Sequence, residues 1–405
     1  MKLHKLISKL GTALLTMILP VHAMAEAEIL GKVEVQGLHF FQDKPSSSQQ
    51  NFYGSIAVEP EYFMRLNAQS EIKAKLFYRK DNQSPSRTHG DIRELMYYYF
   101  EDDWELHAGI GKVFWGVTES RHLVDSINQI DNIESQDDEQ RLGQPMVQAK
   151  WIKDWGTIDL FLLPYFREVD FGSSDLRPQL GLDLAKPLYQ DSAKRQHVDI
   201  ALRWSHTIDN SDIGISYFNG TQRTPILNSV LVKDQPKIQP VYVQTQTLGV
   251  DLQHIHKDWL LKLESLYRSN HQYSQTDGFT KAQSKAIVTG FEYTFYGLND
   301  SAHDLGLIGE YLFDEDEKST PFQNDWMTGI RWTWNDVQST EWLLGVVIDL
   351  DDHTQMWQLE ASRRIAESWK TALTAQFSTN VDAQNTFAQQ LKNHDRLTLT
   401  LDYFF

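Results

Sequence analysis

From Glu28 to the last residue, apolar side chains recur at every second position far more often than at the helical period, and this alternation is what most constrains the fold. Ile287, Thr289, Phe291, Tyr293 and Phe295 alternate with Val288, Gly290, Glu292 and Thr294, and Trp342, Leu344, Val346, Ile348 and Leu350 repeat the pattern. Such a segment has one greasy face and one polar or small face, as a strand does when its two sides meet different surroundings. Eighteen segments read this way: 29–40, 52–66, 69–80, 90–100, 103–113, 144–153, 156–165, 196–207, 211–219, 241–255, 258–269, 284–296, 304–313, 324–334, 339–350, 355–365, 367–378 and 395–405.

The connections sort into two kinds. After even-numbered segments they are short, such as Asn67-Ala68, Glu101-Asp102 and His256-Lys257; after odd-numbered ones they are mostly long, as over 114–143, 166–195, 220–240, 270–283 and 379–394. Short turns on one side and long loops on the other predict an all-β, antiparallel, up-and-down transmembrane barrel of about 18 strands, with 16 as the alternative. A mean hydropathy of −0.46 fits, because only the outward face of each strand has to be apolar. No apolar run approaches the ~18 residues of a membrane helix. With no cysteine, nothing can be crosslinked in an oxidising compartment.

The first 25 residues are a separate unit. Lys2, Lys5 and Lys9 precede an apolar stretch from Leu10 to Leu19, followed by Pro20 and Ala23-Met24-Ala25. This predicts a secretory signal peptide over 1–25 and a barrel over 26–405. Cleavage removes lysines and no acid, so the mature chain is more acidic than the −17 of the whole, which disfavours nucleic acid.

At the other end Leu397, Leu399, Leu401, Tyr403 and Phe405 alternate with Thr398, Thr400, Asp402 and Phe404. This ending resembles the last strand of Gram-negative outer-membrane proteins. The resemblance implies that Tyr403 and Phe405 form the signal read by the barrel-assembly machinery, in a membrane of lipid and lipopolysaccharide. Trp104, Trp151, Trp259, Trp334, Trp369 and Tyr403 suit interfacial girdles.

With the apolar face outward, the lumen receives charges of both signs, including Arg203, Arg268, Arg331, Glu292 and Glu310 on the wall. The loop over 114–143 has apolar residues at 123, 124, 127 and 130, a helical spacing, and such a face should fold against the wall or into the lumen. In position it resembles the third loop of general porins, which narrows the pore. Lys112 precedes the loop, and within it Glu119, Asp125, Asp131, Glu134 and Asp137 to Glu139 stand against Arg121 and Arg141. At a constriction these wet carboxylates would favour cationic or neutral solutes and would contribute little to folding.

Residues 90–132 resemble an uncharacterised porin-like family of Gram-negative outer-membrane proteins: Arg93-Glu94 on an aromatic strand, Gly109, Gly111-Lys112, Trp115-Gly116, then Asp125, Asn128 and Asp131. Met96 stands where that pattern has Tyr. The resemblance implies a porin-like channel and supplies no solute. Other constellations are weak. Ser120, His122 and Asp125 lack nucleophile-elbow glycines, His254 and His256 lack a third ligand, and the run from Asp314 to Glu317 reads as a solvated loop tip. The expectation is a passive or weakly selective channel for small polar solutes, without cofactor or metal and not an enzyme. A barrel enzyme acting on lipid or peptide, and a loop-mediated adhesin or receptor, are the alternatives; the oligomeric state is not legible.

Overall fold

The computed structural model describes residues 27–134, 140–177, 182–316 and 320–405. The leader over 1–25, the loop acids Asp137, Asp138 and Glu139, and Glu317 lie outside the described residues. In chain order the strands are β1 (Ala27–Phe40), β2 (Phe52–Asn67), β3 (Ser70–Asp81), β4 (His89–Phe100), β5 (Trp104–Gly111), β6 (Gln144–Lys153), β7 (Gly156–Leu163), β8 (Leu188–Tyr189), β9 (Asp199–Ile208), β10 (Ser211–Thr221) and β11 (Ile226–Val232). They continue with β12 (Gln235–Tyr242), β13 (Gln244–His256), β14 (Trp259–Ser274), β15 (Gly278–Phe295), β16 (Asp304–Asp314), β17 (Asn324–Thr333), β18 (Glu341–Asp349), β19 (Gln355–Ala366), β20 (Trp369–Thr379) and β21 (Arg396–Phe404). A six-residue helix, α1 (Thr386–Leu391), sits in the loop before β21.

All strands except β8, β11 and β12 form one 18-stranded antiparallel sheet, which closes because β1 pairs with both β2 and β21. Closure satisfies every strand edge, which a barrel in hydrocarbon requires. The eighteen segments read from the alternation are these eighteen strands. Within two of the expected loops there is further ladder. β14 and β15 run on as a hairpin to Ser274 opposite Gly278, and β11 and β12 form a hairpin whose second strand pairs with β8.

Outward side chains form an apolar belt, with Ile215, Leu248, Ile330, Leu344 and Leu399 all well exposed. On the short-turn side aromatic residues face each other in register: Trp104 opposite Trp151, Trp259 opposite Tyr293, Trp332 opposite Trp342 and Trp369 opposite Tyr403. This is an interfacial girdle. Trp334 lies beside Trp332 on the same side, stacked on His303 and near the guanidinium of Arg363. Tight turns on this side use positive φ at Asp209 and Lys257, as two-residue hairpins require.

Candidate functional site

β5 stops after eight residues at Gly111, where β6 begins opposite it at Gln144. The intervening chain leaves the wall part-way up and enters the lumen as a tongue. Gly109 starts the departure with φ +145, and a Cβ there would lie 2.1 Å from the Leu95 carbonyl oxygen, so no other residue fits. Asn128 holds the root closed: its amide donates to the carbonyls of Gly111 and Leu142, and its oxygen accepts from the Val113 N–H.

The helix expected over 121–130 is absent; that stretch is turns and bends. The apolar spacing has another cause. Val124 and Ile127, both fully buried, pack with Met96, Met146, Phe161, Ala201 and Phe218 on one part of the wall, while Leu123 packs with Leu266, Val288, Ile308 and Leu312 on another. One helical face could not reach both. The inner wall is accordingly apolar where the tongue lies, which corrects the expectation of a polar interior throughout.

The tongue's backbone is satisfied by the wall instead of by helical bonds. Glu264, with no exposed surface, accepts from the N–H groups of Val117, Thr118 and Val124 and from the Thr118 hydroxyl. Glu310, equally buried, accepts from the N–H groups of Glu119 and Ser120 and from the Ser120 hydroxyl. Buried backbone donors need such partners. Gly116, at φ +145, brings the chain against Glu264; a Cβ would sit 3.0 Å from its carboxylate.

Tongue and wall charges are paired. Glu119 meets Arg331 at 2.8 Å and Lys262 at 3.6 Å, and Arg331 also meets Glu292 at 3.3 Å. Arg121 and Arg268 converge on Asp314 at 2.9 and 2.7 Å. Asp131 pairs with Arg93 at 2.5 Å, Asp125 with Arg141 at 3.2 Å, and Glu134 with Arg79 at 2.7 Å. Arg203 pairs instead with Asp251, at 2.7 Å. Asp125 and Asp131 are buried, not wet, and Asp314 is a buried anchor instead of a solvated loop tip.

The chain is thus a closed 18-stranded barrel with an apolar outer belt and a loop folded into its lumen. The fold is that of an outer-membrane porin. Three outer-membrane structures of Pseudomonas aeruginosa are similar: OccK2 (OpdF) with a TM-score of 0.54 and 10% identity, OpdQ with 0.53 and 11%, and OccK8 (OprE) with 0.53 and 10%. Each comparison covers 94% of this chain and 98% of the other. No protein-family model matches the chain, and no curated protein matches it in sequence.

Of the residues singled out from the sequence, Glu119, Arg121, Arg268, Arg331, Glu292 and Glu310 come together along β14–β17, and Asp125 and Asp131 lie further along the tongue. Lys112 is paired with no carboxylate among the described residues; desolvation first and then Arg93 push its ammonium down to about 8. Burial would raise Glu134, but His89, Arg79 and Arg87 outweigh it and hold the carboxyl at about 2. Ser120, His122 and Asp125 each have other partners. Ser120 donates to Glu310, His122 packs edge-on against Phe114, and Asp125 faces Arg141. Among the described residues no group of three His, Asp or Glu is placed to hold a metal ion.

Sequence reasoning missed a second element in the mouth. Residues 173–177, from the loop after β7, cross to the opposite rim. Tyr53 donates to the Asp175 carbonyl, Gln49 donates to the Leu176 carbonyl, and buried Arg177 donates to the carbonyls of Gln42, Gln50 and Asn393 while lying over the Phe40 ring. An arginine in a long loop gives no sign in the sequence that it will be buried.

Proposed function

We propose that the protein is a passive, weakly selective outer-membrane channel for small polar solutes. One observation carries this. Among the described residues the inward faces of β19, β20 and β21 stay open: Gln358, Glu360, Lys370, Thr374 and Gln376 are half-buried, and no inward side chain of these strands is buried. Passage through such a gap needs width and lining charge, and no covalent chemistry. The tongue narrows the lumen opposite. Glu119, Asp131 and Glu134 have wall partners and Asp125 has Arg141 on the tongue itself, so any cation preference is modest and is set by the open side together with Lys112, which has no carboxylate partner among the described residues. OccK2 (OpdF) is known in complex with glucuronate, which supports polar solutes of this size.

Phe405 exchanges backbone hydrogen bonds with Gly31 at the seam where the barrel closes. This position supports its reading, with Tyr403, as the ending that the assembly machinery recognises. Reconstitution into planar bilayers tests the channel: stepwise conductance is expected, and silence from folded, heat-modifiable protein would sink the proposal. An enzyme acting on lipid or peptide is not favoured, since the loop serine and carboxylates are engaged in holding the tongue.

A further inference from the structure

On the turn side of the tongue lies a cavity of about 530 Å³ between the tongue's root and the inner wall of β7, β9, β10 and β13. Its wall contains a row set by strand register, with Thr157 beside Ser205, Ser205 beside Gly214, and Gly214 beside Asp251. Arg203 reaches across β10 to grip Asp251 through two bonds of 2.7 Å each. Only a glycine permits this: a Cβ on Gly214 would lie 2.3 Å from the guanidinium. The hydroxyls of Thr157 and Ser205 have no side-chain hydrogen bond among the described residues. Facing them from the tongue is Phe114, a ring 61% exposed, whereas its neighbour Trp115 is 5% exposed and lies beside Arg203.

The combination needs an occupant with two kinds of surface. An aromatic face left wet in a channel gains by covering a flat patch of C–H groups. Free hydroxyls beside a bidentate guanidinium–carboxylate pair offer donors and acceptors at adjacent positions, which fits neighbouring hydroxyl groups on one ring. A simple ion would leave the Phe114 face bare, and an apolar solute would strand the hydroxyls. From this we propose that the cavity is a solute subsite for a neutral polyhydroxylated ring of monosaccharide size, stacked on Phe114 and hydrogen-bonded to Thr157, Ser205, Arg203 and Asp251. The proposal rests on the channel reading and deepens it. Solutes leaving the narrowed zone would pause there before release.

The test is single-channel recording of the full-length protein in planar bilayers with D-glucose added to the turn side. The expected result is saturable, glucose-dependent current blockade. Phe114→Ala should weaken its concentration dependence by about tenfold, Phe114→Trp should retain it, and Thr157→Val with Ser205→Ala should weaken it independently of the aromatic change. Heat-modifiability checks that each variant is folded. A channel that conducts salt but shows no blockade, or a blockade indifferent to both variants, overturns the subsite and leaves the channel standing. Absence of conductance in folded wild-type protein overturns the channel reading itself.

Discussion

Two arcs of one barrel, built with the same alternation, meet different fates. From β4 to β17 inward side chains are braced by the tongue, and Phe161, Leu163, Phe218, Val288, Glu264 and Glu310 have almost no exposed surface. From β19 to β21 inward positions stay half-exposed; the buried residue there, Ala375, alternates with inward Thr374 and Gln376 and points outward among its neighbours. The strands do not differ in kind. What differs is whether chain from elsewhere fills the inside. The braced arc is a soluble protein's core turned inward, while the open arc rests on its ladder and its outer belt.

The largest effect is expected where the open arc has least support, at its seam. Deleting Phe405 removes both backbone bonds to Gly31 and the ring that lies against it. Unpaired backbone groups in hydrocarbon cost several kcal/mol each, so folded protein should fall roughly tenfold or more while export continues. Cell fractionation with a heat-modifiability assay reads both quantities. Normal folded levels would mean that the seam does not depend on this residue.

Next in size is release of the tongue. Glu264→Ala leaves the N–H groups of Val117, Thr118 and Val124 without their acceptor, while the Thr118 hydroxyl keeps only the Arg121 carbonyl. The cost should be about 3 kcal/mol or more, with a rise in unit conductance as the tongue loosens. Urea unfolding in detergent and bilayer recording together decide it: unchanged conductance would show that the tongue does not narrow the pore. Asp125→Asn with Asp131→Asn should cost about 3 kcal/mol in all, because it breaks buried pairs to Arg141 and Arg93.

That last expectation reverses what the sequence suggested, and the reason is physical. Period-two alternation reports which way a side chain points, so the strand count, the girdle and the inward positions of Glu264, Glu310 and Arg331 were all legible. It does not report what lies opposite an inward side chain. Val288 and Ile308 read as ordinary strand residues, yet they are buried because Leu123 lies on them. Asp131 reads as a wet loop acid, yet Arg93 on neighbouring β4 lies 2.5 Å away. The spacing of Leu123, Val124 and Ile127 recorded burial correctly and shape wrongly, since a chain held between two walls can imitate the helical period. The strap through Arg177 had no periodicity to betray it.

Acid should loosen the tongue selectively. Glu134 is held at about 2 in the folded protein against an ordinary value of 4.5, so its stabilising contribution is complete above about 4.5 and is lost as pH falls from there towards 2. The contribution is on the order of 3 kcal/mol at neutral pH. His394, at the far rim, is pushed down to about 4 by burial and then by Arg177, so it favours the folded state only while neutral. That support is full above about 6.5 and declines as pH falls through 6.5 towards 4. Proteolysis across a pH series should therefore nick the 380–395 loop first and the tongue only in stronger acid. The opposite order would break the assignment.

The smallest effect is also the one that separates the arcs most directly. Glu360 lies on the inward face of β19 with Gln358 as its hydrogen-bonded neighbour, and no cation is paired with it among the described residues. A wet charge of this kind contributes little to folding, so Glu360→Gln should change stability by less than about 0.5 kcal/mol. It should still move the reversal potential slightly towards anions, because a permeating ion passes within a screening length of it. Unit conductance should stay near the wild-type value, since nothing in the open arc holds the tongue. Glu119→Gln in the braced arc differs. It releases Arg331 and Lys262 from a shared carboxylate, so any shift in reversal potential should arrive with lower stability and altered conductance. If Glu360→Gln leaves the reversal potential unmoved while Glu119→Gln shifts it with conductance intact, ions run along the tongue and not along β19–β21, and the open arc is not the path.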